Sequence, residues 1–457
     1  MNNLYHNTLF LSNYEVLGEP IFSINRRGVE VITTPIRIIS DKPYCCNGKM
    51  HIHQHHYIKL NHCISGPQLY KLKVFYYRYI CPVCGKIICQ QIPFKEKSHN
   101  FTKAYALQLS HLLDLGLPIS KVAEILHLSR ACIRKIDFER LKRNFKNGKP
   151  DYQSRYLGVD EFSLHRNHEY ATIVVDLETK DVLFVEKGKT EMQLHHFFDL
   201  VGNEYMSKVK AISMDMNAQY CAAVKNRYNK IDIVYDHFHI QKNYNDMVIT
   251  SLRRASQNLL MEQINEAKKN KDYALAEELS HEYKFLKRNR YLLLSSLKTL
   301  EAKDLAGKKH NKELNEKYEQ KGLKIPSNEV KWCTTYVFKL QKFLTSNEKW
   351  KSVIELNEML KLSYSCTDYN IFRSSFNKWL YIAESLNIPE LDTFIRMIRR
   401  RYEGVINYAK HRITNGAVEG VNNMIKTLRR ASYGFRNNEY FFLKIIESSR
   451  RQHGLQS

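Results

Sequence analysis

Between Tyr156 and Asp236 strand and helix patterns follow one another in an order that constrains the fold more than any other feature of the chain. The run Tyr156-Leu-Gly-Val-Asp160-Glu-Phe-Ser is short and apolar and ends in acids. Ala171 to Val175 and Val182 to Val185 follow, with the turn residues Glu178-Thr-Lys-Asp181 between them. Apolar runs bounded by turn residues at that spacing read as three consecutive strands in a meander. The pattern then becomes helical from Thr190 to Met206, returns to a strand at Val209–Asp215, to a helix at Ala218–Tyr228, and to a fifth strand at Ile231–Asp236. From Gln241 to about Met397 the chain is almost wholly helix-forming and heavily charged, and it holds Trp332, Trp350 and Trp379. The expectation is a multidomain α/β protein whose mixed sheet is interrupted by a helical insertion.

Three hairpin strands followed by αβαβ is the ribonuclease-H-like order, in which the first and fourth strands are neighbours. Asp160 ends the first and Asp215 the fourth, so their carboxylates are expected to converge at one edge of the sheet. Glu161 is a rival to Asp160, and strand alternation points the two to opposite faces, so one of them serves. Asp236, in Asp236-His-Phe-His239, is a fourth candidate; a histidine there positions a phosphate or caps the following helix. A third carboxylate arriving on a helix would complete a two-metal site. Hard oxygen ligands of this kind hold two Mg²⁺ or Mn²⁺ ions about 4 Å apart, one at the attacking and one at the leaving oxygen. Glu419 is placed to be that ligand if residues 241–397 are inserted. It stands in the stretch Asn415 to Arg436, and from Arg396 to Arg430 nine Lys or Arg face only two acids, Glu403 and Glu419. Val418, Val421, Met424, Ile425 and Leu428 recur at helical spacing and turn Glu419, Asn422, Asn423, Lys426 and Arg430 to the other faces. The plainer readings are a solvated basic helix with one stray acid, and strand-end acids that cap turns.

The charge balance points the same way. Lys and Arg number 71 against 47 Asp and Glu, a net +24 with pI near 9.4, which implies a polyanionic partner and first of all nucleic acid. No apolar run approaches the ~18 residues of a membrane span, so a cytoplasmic protein is expected. Six of the ten cysteines fall between Cys45 and Cys89, a clustering that suits metal better than disulfides. A strand from Tyr70 to Ile80 leads into Cys81-Pro-Val-Cys84-Gly, half of a zinc ribbon: two thiolates three positions apart on a tight turn both reach one tetrahedral ion. The other half is irregular, with Cys45 and Cys46 adjacent and Cys63, His51, His53, His55, His56 and His62 nearby; a degenerate ribbon held by its own core is the alternative. From Gly116 to Asp137 two short helices share an apolar seam of Val122, Ile125, Leu126, Leu128, Ile133 and Ile136, with Ser120 and Ser129 where N-caps are wanted. This is a helix-turn-helix pattern whose second helix presents Arg130, Arg134 and Lys135 to a major groove. The shifts in pattern divide the chain into an N-terminal extension (1–40), a zinc-ribbon-like segment (41–98), a helix-turn-helix domain (99–150), a first catalytic part (151–240), the helical insertion (241–397) and a second catalytic part (398–457).

The run Gly158-Val-Asp160-Glu-Phe, the run Asp215-Met-Asn, Asp236-His-Phe-His239 and the stretch from Asn415 to Arg436 together resemble the DDE transposases of bacterial insertion sequences, specifically the ISL-three family. The resemblance covers nearly the whole chain. It implies that Asp160, Asp215 and Glu419 are a catalytic triad holding Mg²⁺ or Mn²⁺, that Asp236 and His239 are accessory, and that Lys426, with Arg429 and Arg430 beside it, contacts DNA phosphate near the cleaved end. It implies cleavage at the element's ends followed by attack of the freed 3′-hydroxyl on target DNA, a homo-oligomer assembled on double-stranded DNA, and work at the bacterial nucleoid. The chain departs from the family at the ribbon, where a C-x-x-C is expected near Cys45 and Cys46. The expected Zn²⁺ ligands are Cys81 and Cys84 with Cys45 and Cys46. The rivals are a resolvase-like or structure-specific nuclease, which stops at hydrolysis, and an inactive DNA-binding regulator, which forms no Mg²⁺-dependent product.

Overall fold

The computed structural model describes residues 13–26, 28–65, 68–145, 150, 152–164, 169–326, 329–330, 335–432 and 434–451. The start of the expected extension (1–12), most of the expected loop 146–151, Trp332 and Tyr433 lie outside the described residues. The chain forms two compact units, Met1–Asn147 with Thr427–Ser448, and Gly148–Lys426 with Ser449–Ser457.

In the first unit β1 (Tyr14–Val16) and β2 (Ile21–Ile24) pair antiparallel with β3 (Glu30–Ile38). A separate hairpin of β4 (Tyr44–Cys45) and β5 (Gly48–Lys49) precedes β6 (His51–Ser65) and β7 (Gln68–Ile80), which pair antiparallel along their length. β3 runs parallel to β7, and β8 (Ile87–Cys89) pairs with the end of β7, giving a six-stranded sheet. The β-branched run at Gly28–Thr34 thus belongs largely to β3, inside the same sheet as the cysteine-bearing strands. Alternation decides its faces: Ile36, Ile38, Leu60, Leu72 and Val74 enter one core with Tyr14 and Phe94.

Three helices follow, α1 (Lys103–Asp114), α2 (Ile119–Ile125) and α3 (Arg130–Asn144). Tyr105, Leu109 and Leu113 of α1 pack with Val122, Leu126 and Ile133 and with Val31 and Leu69 of the sheet. Ser129 caps α3, its hydroxyl accepting from the Cys132 N–H at 3.2 Å. Ser120 does not cap α2, because Pro118, with φ −58°, already starts that helix and leaves Ser120 inside its first turn. Ile125, expected in the seam, is 40% exposed; the buried cluster of Val122, Leu126 and Ile133 is completed by Tyr105, Leu109 and Leu113 of α1.

In the second unit the strands are β9 (Tyr156–Ser163), β10 (Tyr170–Asp176) and β11 (Val182–Lys187), then α4 (Glu191–Ser207), β12 (Ala211–Met214), α5 (Ala218–Arg227) and β13 (Asp232–Tyr235). The sheet order is β11-β10-β9-β12-β13; β10 is antiparallel to both of its neighbours, β11 and β9, and β9, β12 and β13 are parallel. Caps set the helix starts. Thr190 and Gln193 form a capping box on α4, Asn217 caps α5, and Asp236 caps α6 (His237–Tyr244). Beyond it lie α7 (Thr250–Lys269), α8 (Tyr273–Arg288), α9 (Arg290–Leu294), α10 (Leu297–Glu319), α11 (Tyr336–Thr345), α12 (Glu348–Ser365), α13 (Tyr369–Ser385), α14 (Pro389–Arg400) and α15 (Tyr402–His411). Trp350 and Trp379 are buried there, and the Trp379 indole donates to the Leu356 carbonyl at 2.8 Å. These helices share one apolar core with Leu157, Val159, Ile212, Met214 and Ile233 of the sheet. Among the described residues no helix is long and apolar enough to cross a membrane.

The last helices are α16 (Gly416–Ala431) and α17 (Asn438–Arg451). Within the first unit Asp137 and Arg140 of α3 are buried with Tyr440, Lys444 and Glu447 of α17: Lys444 Nζ lies 2.9 Å from Asp137, and the Tyr440 hydroxyl donates to Asp137 at 2.6 Å. Arg140 bridges Asp137, Glu447 and Asp114. Burial pushes Asp137 up, but Lys444, Tyr440 and Arg140 outweigh it and hold the carboxyl below its ordinary range. Loss of one partner from such a cluster leaves a buried charge uncompensated.

Candidate functional site

Asp160 is not where its strand stops. β9 continues to Ser163 along β10, with Asp160 opposite Ile173, whereas its pairing with β12 ends at Val159↔Met214. Met214 also pairs with Tyr235 of β13. The next position on each of these three parallel strands is an acid, so Asp160, Asp215 and Asp236 fall in one row just beyond the end of the parallel ladder. The charge of Asp215 raises the proton affinity of Asp160 and of Asp236, since like charges disfavour ionisation.

Each acid has its own environment. Asp160 Oδ1 accepts from the Glu161 N–H at 2.8 Å, and its carboxyl is pushed up to about 6, first by burial and then by the charges of Asp215 and Glu161. Asp215 is half-buried, and His239 Nδ1 lies 2.7 Å from its Oδ1; that contact raises the His239 imidazole above its ordinary value against the opposing effect of burial. Asp236 is buried, caps α6 by accepting from the Phe238 N–H at 3.4 Å, and is raised by burial. Glu161 is raised by burial and by Asp215, and its Oε2 has no hydrogen-bond partner. Alternation therefore does not take Glu161 out of the field of Asp215: both neighbours on β9 feel that charge.

Helix α16 packs its first turns on β9. Val418, Val421 and Ile425 are buried, as their spacing requires. Asn415 Nδ2 donates to the Val159 carbonyl at 3.3 Å, and Asn422 Nδ2 donates to Asp160 Oδ2 at 2.9 Å. Glu419 is exposed and lies between these contacts; at 100° per residue it is about 40° around the helix from Asn415 and about 60° from Asn422. Among the described residues, the acids Asp160, Asp215 and Glu419 are not all within 4.8 Å of one another, a distance that four cysteines alone meet as a group. Asn415 and Asn422 were not singled out from sequence as site residues. Their signal was present: they stand four before and three after Glu419, on its side of the helix.

The close approach of α16 to β9 depends on Gly158. A Cβ there would lie 2.5 Å from Val418 Cγ2 and 2.7 Å from Leu177 Cδ2. Gly158→Ala is therefore expected to lower stability by about 1–3 kcal/mol, the scale of overpacking. It should also shift the turn that carries Val418, Glu419 and Asn422. Thermal unfolding of the variant checks this; an unchanged midpoint would show that α16 is not seated as described.

The basic residues expected at DNA differ in availability. Arg130, Arg134 and Lys135 on α3 are exposed, as are Lys426 and Arg430. Lys426 Nζ donates to Asn423 Oδ1 at 3.4 Å. Arg429 is half-buried, its guanidinium 5.4 Å from the Phe441 ring centroid, and burial lowers its pKa.

Cys45, Cys46, Cys81 and Cys84 have all four Sγ atoms within 4.8 Å, with Cys45 3.6 Å from Cys84 and 3.9 Å from Cys46. Four sulfurs held at 2.3 Å around one zinc would stand about 3.8 Å apart, so the donor set fits that ion. The adjacent pair converges because Cys46 and Asn47 have φ of 48° and 62°, the positive values of a type I′ hairpin turn between β4 and β5. An extended strand would have sent neighbouring side chains to opposite faces. On the other knuckle Gly85, at φ 70°, donates its N–H to the Cys81 carbonyl at 3.0 Å. The Cys84 N–H lowers the Cys81 thiol to about 7, while the crowding of sulfurs, Cys84 first, pushes Cys46 up to about 12. Cys63 and the five nearby histidines are not in this group; His62 is buried, with Nδ1 2.9 Å from Thr102 Oγ1.

Residues 157–445 match a family model described as a transposase, that of the ISL-three DDE enzymes. The chain is 26% identical over 384 residues to the transposase for insertion sequence element IS1001 of Bordetella parapertussis, covering 82% of each chain. It is 22% identical over 290 residues to the transposase for insertion sequence element IS1557 of Mycobacterium tuberculosis, covering 62% of this chain and 57% of that one.

Proposed function

The chain belongs to the ISL-three family of transposases, and from that premise we propose that it binds the terminal repeats of an insertion sequence, cuts the DNA at the element's ends and joins the freed 3′-hydroxyl to target DNA. The observation that carries this reading is the row of Asp160 and Asp215 with α16 laid against β9, which sets Glu419 one turn from a side chain bonded to Asp160. In this reading the second unit's sheet is a ribonuclease-H-like core, and α2–α3 and the four-cysteine segment serve DNA recognition and its support.

The acids suit a divalent cation. Asp160 and Glu161 both have raised proton affinity, and Glu161 Oε2 has no partner. Asp160, Asp215 and Glu419 would hold Mg²⁺ or Mn²⁺, which when bound supplies charge stabilisation at the attacking and leaving oxygens of the phosphodiester. Asn422 orients the Asp160 carboxylate through its amide, and His239 does the same for Asp215. Both are positioning residues rather than metal ligands. Lys426 and Arg430 take phosphate oxygens of the cleaved end, and Arg130, Arg134 and Lys135 face the groove of the terminal repeat. A homo-oligomer that pairs two ends follows from the need to process both ends of one element.

The test is cleavage of a duplex ending in the element's own terminal repeat, with Mg²⁺ or Mn²⁺ and a supplied target. Wild type is expected to yield both nicked ends and joined products, and Glu419→Gln neither, with end binding nearly unchanged. Cleavage without joining would convert the reading to a nuclease. Full activity of Glu419→Gln would remove that residue from the site.

A further inference from the structure

The six-stranded sheet of the first unit has two unlike faces. One is the apolar core already described. The registers set the opposite face out in rows that cross the sheet: Glu15, Arg37, Phe75 and Tyr57 in one; Pro35, Lys73 and Lys59 in the next; Thr33, Lys71 and Asn61 in a third. Residues in register across neighbouring strands project to the same side. At one end this face is covered, with Val31 and Leu69 buried among residues of α1–α3. From Thr33 onward it opens. Tyr57 is 59% exposed, Lys59 is exposed, and Lys71, Lys73 and Phe75 are half-buried.

The chemistry of the open rows is one-sided. Their one acid, Glu15, lies 3.6 Å from Arg37, which leaves Lys59, Lys71 and Lys73 without a carboxylate in those rows. Tyr57 and Phe75 are neighbours on adjacent strands, with ring centroids 6.0 Å apart and planes at 48°. Lys73 Nζ lies 4.8 Å from the first ring and 5.0 Å from the second, so a cation sits against both π-systems at the surface. A patch of unbalanced ammonium groups fits phosphate, and aromatic rings side by side on a sheet fit the faces of unpaired bases. A duplex offers such a face phosphates and groove edges but no free base surface, and the rings would go unused.

We infer that the open face of this sheet binds single-stranded DNA, with Tyr57 and Phe75 stacking on bases and Lys59, Lys71 and Lys73 contacting the backbone. The site is separate from the acids on β9 and needs no Mg²⁺, so it stands or falls independently of the phosphoryl-transfer reading.

Fluorescence anisotropy of the full-length protein with a labelled oligothymidylate of about a dozen nucleotides, the footprint of one such module, tests this without added Mg²⁺. Tyr57→Ala and Phe75→Ala are each expected to weaken binding on the order of ten- to a hundredfold, the scale of one lost base stack. Tyr57→Phe, which keeps the ring, should bind as wild type. Lys59→Glu should flatten the salt dependence by about 0.7 in log–log slope for each phosphate no longer neutralised. A duplex of equal length should lose less than about twofold with either alanine variant. Unchanged oligothymidylate affinity in the Tyr57→Ala/Phe75→Ala double variant, with its circular dichroism intact, overturns the inference. An equal loss for duplex and single strand overturns it as well, assigning the face to the duplex backbone.

Discussion

Asp160→Asn is expected to abolish strand cleavage and joining while making the protein more stable. Loss of one charge-stabilising group in a site of this kind costs at least two to three orders of magnitude in rate. The amide keeps the carboxylate's shape: its carbonyl oxygen can accept from the Glu161 N–H, and its NH₂ can donate to Asn422 Oδ1 once that amide turns over, so end binding and the seating of α16 should survive. The stability gain follows from linkage. The Asp160 carboxyl is raised to about 6 in the folded chain, chiefly by burial, against about 3.9 unfolded. A group raised on folding lends its full stability below the unfolded pKa and loses it as pH rises through the folded pKa. At pH 7 and above wild type therefore carries a penalty on the order of 1–3 kcal/mol that the asparagine removes. Melting curves should show the variant above wild type at pH 8 and the two converging toward pH 4. Mg²⁺ should reverse the order by stabilising wild type alone, since only a folded state that binds the ion gains from it. A variant that melts below wild type at pH 8, or one that still cleaves, would sink this account of the residue.

The other large effect is expected at Cys81. Cys81→Ser should release one equivalent of zinc per chain and lose the packing of both cysteine hairpins. Structural zinc sites in small modules contribute on the order of 10 kcal/mol, far more than the two-residue strands of β4 and β5 and the short pairing of β8 with the end of β7 can supply alone. Metal content of the purified protein, read beside limited proteolysis of the 44–89 region, measures both consequences. Cys89→Ser is the control: that thiol accepts from Arg78 at 3.4 Å and is outside the four-sulfur group, so zinc content should not change. Full zinc in Cys81→Ser would show that the ion is held elsewhere. Wild type that takes up no zinc, and resists proteolysis equally with and without the added ion, would make the cluster a set of free thiols.

Much of the strand order was legible because each strand of the second sheet is short, apolar and bounded by turn residues. Residues 171–175 and 182–185 fall inside β10 and β11 for that reason. The burial of Val418, Val421 and Ile425 was legible from period alone. Other features were not. Asn422 looked like a solvent-facing polar residue, because nothing local says that β9 lies beside that face of α16. The convergence of Cys45 and Cys46 was hidden by the habit of alternating side chains, which a turn with two positive φ values suspends. The cluster of Asp137, Arg140, Tyr440, Lys444 and Glu447 joins positions some three hundred residues apart in sequence, beyond any periodicity.

By itself, then, the sequence determined the kinds of elements, their order, the acids that end or interrupt them, and the excess of cations that makes a polyanion the natural partner. These are local properties: side-chain period, turn chemistry and net charge act over a few residues or over the whole composition. The tertiary structure decided which of them meet. Parallel register put Asp160, Asp215 and Asp236 in one row, and the missing side chain of Gly158 let α16 approach that row. Two positive φ values turned two adjacent thiols toward one point, and alternation across four strands separated an apolar face from one of lysines and rings. Contact between residues far apart in the chain depends on register and close approach, which packing sets and no short stretch of sequence contains.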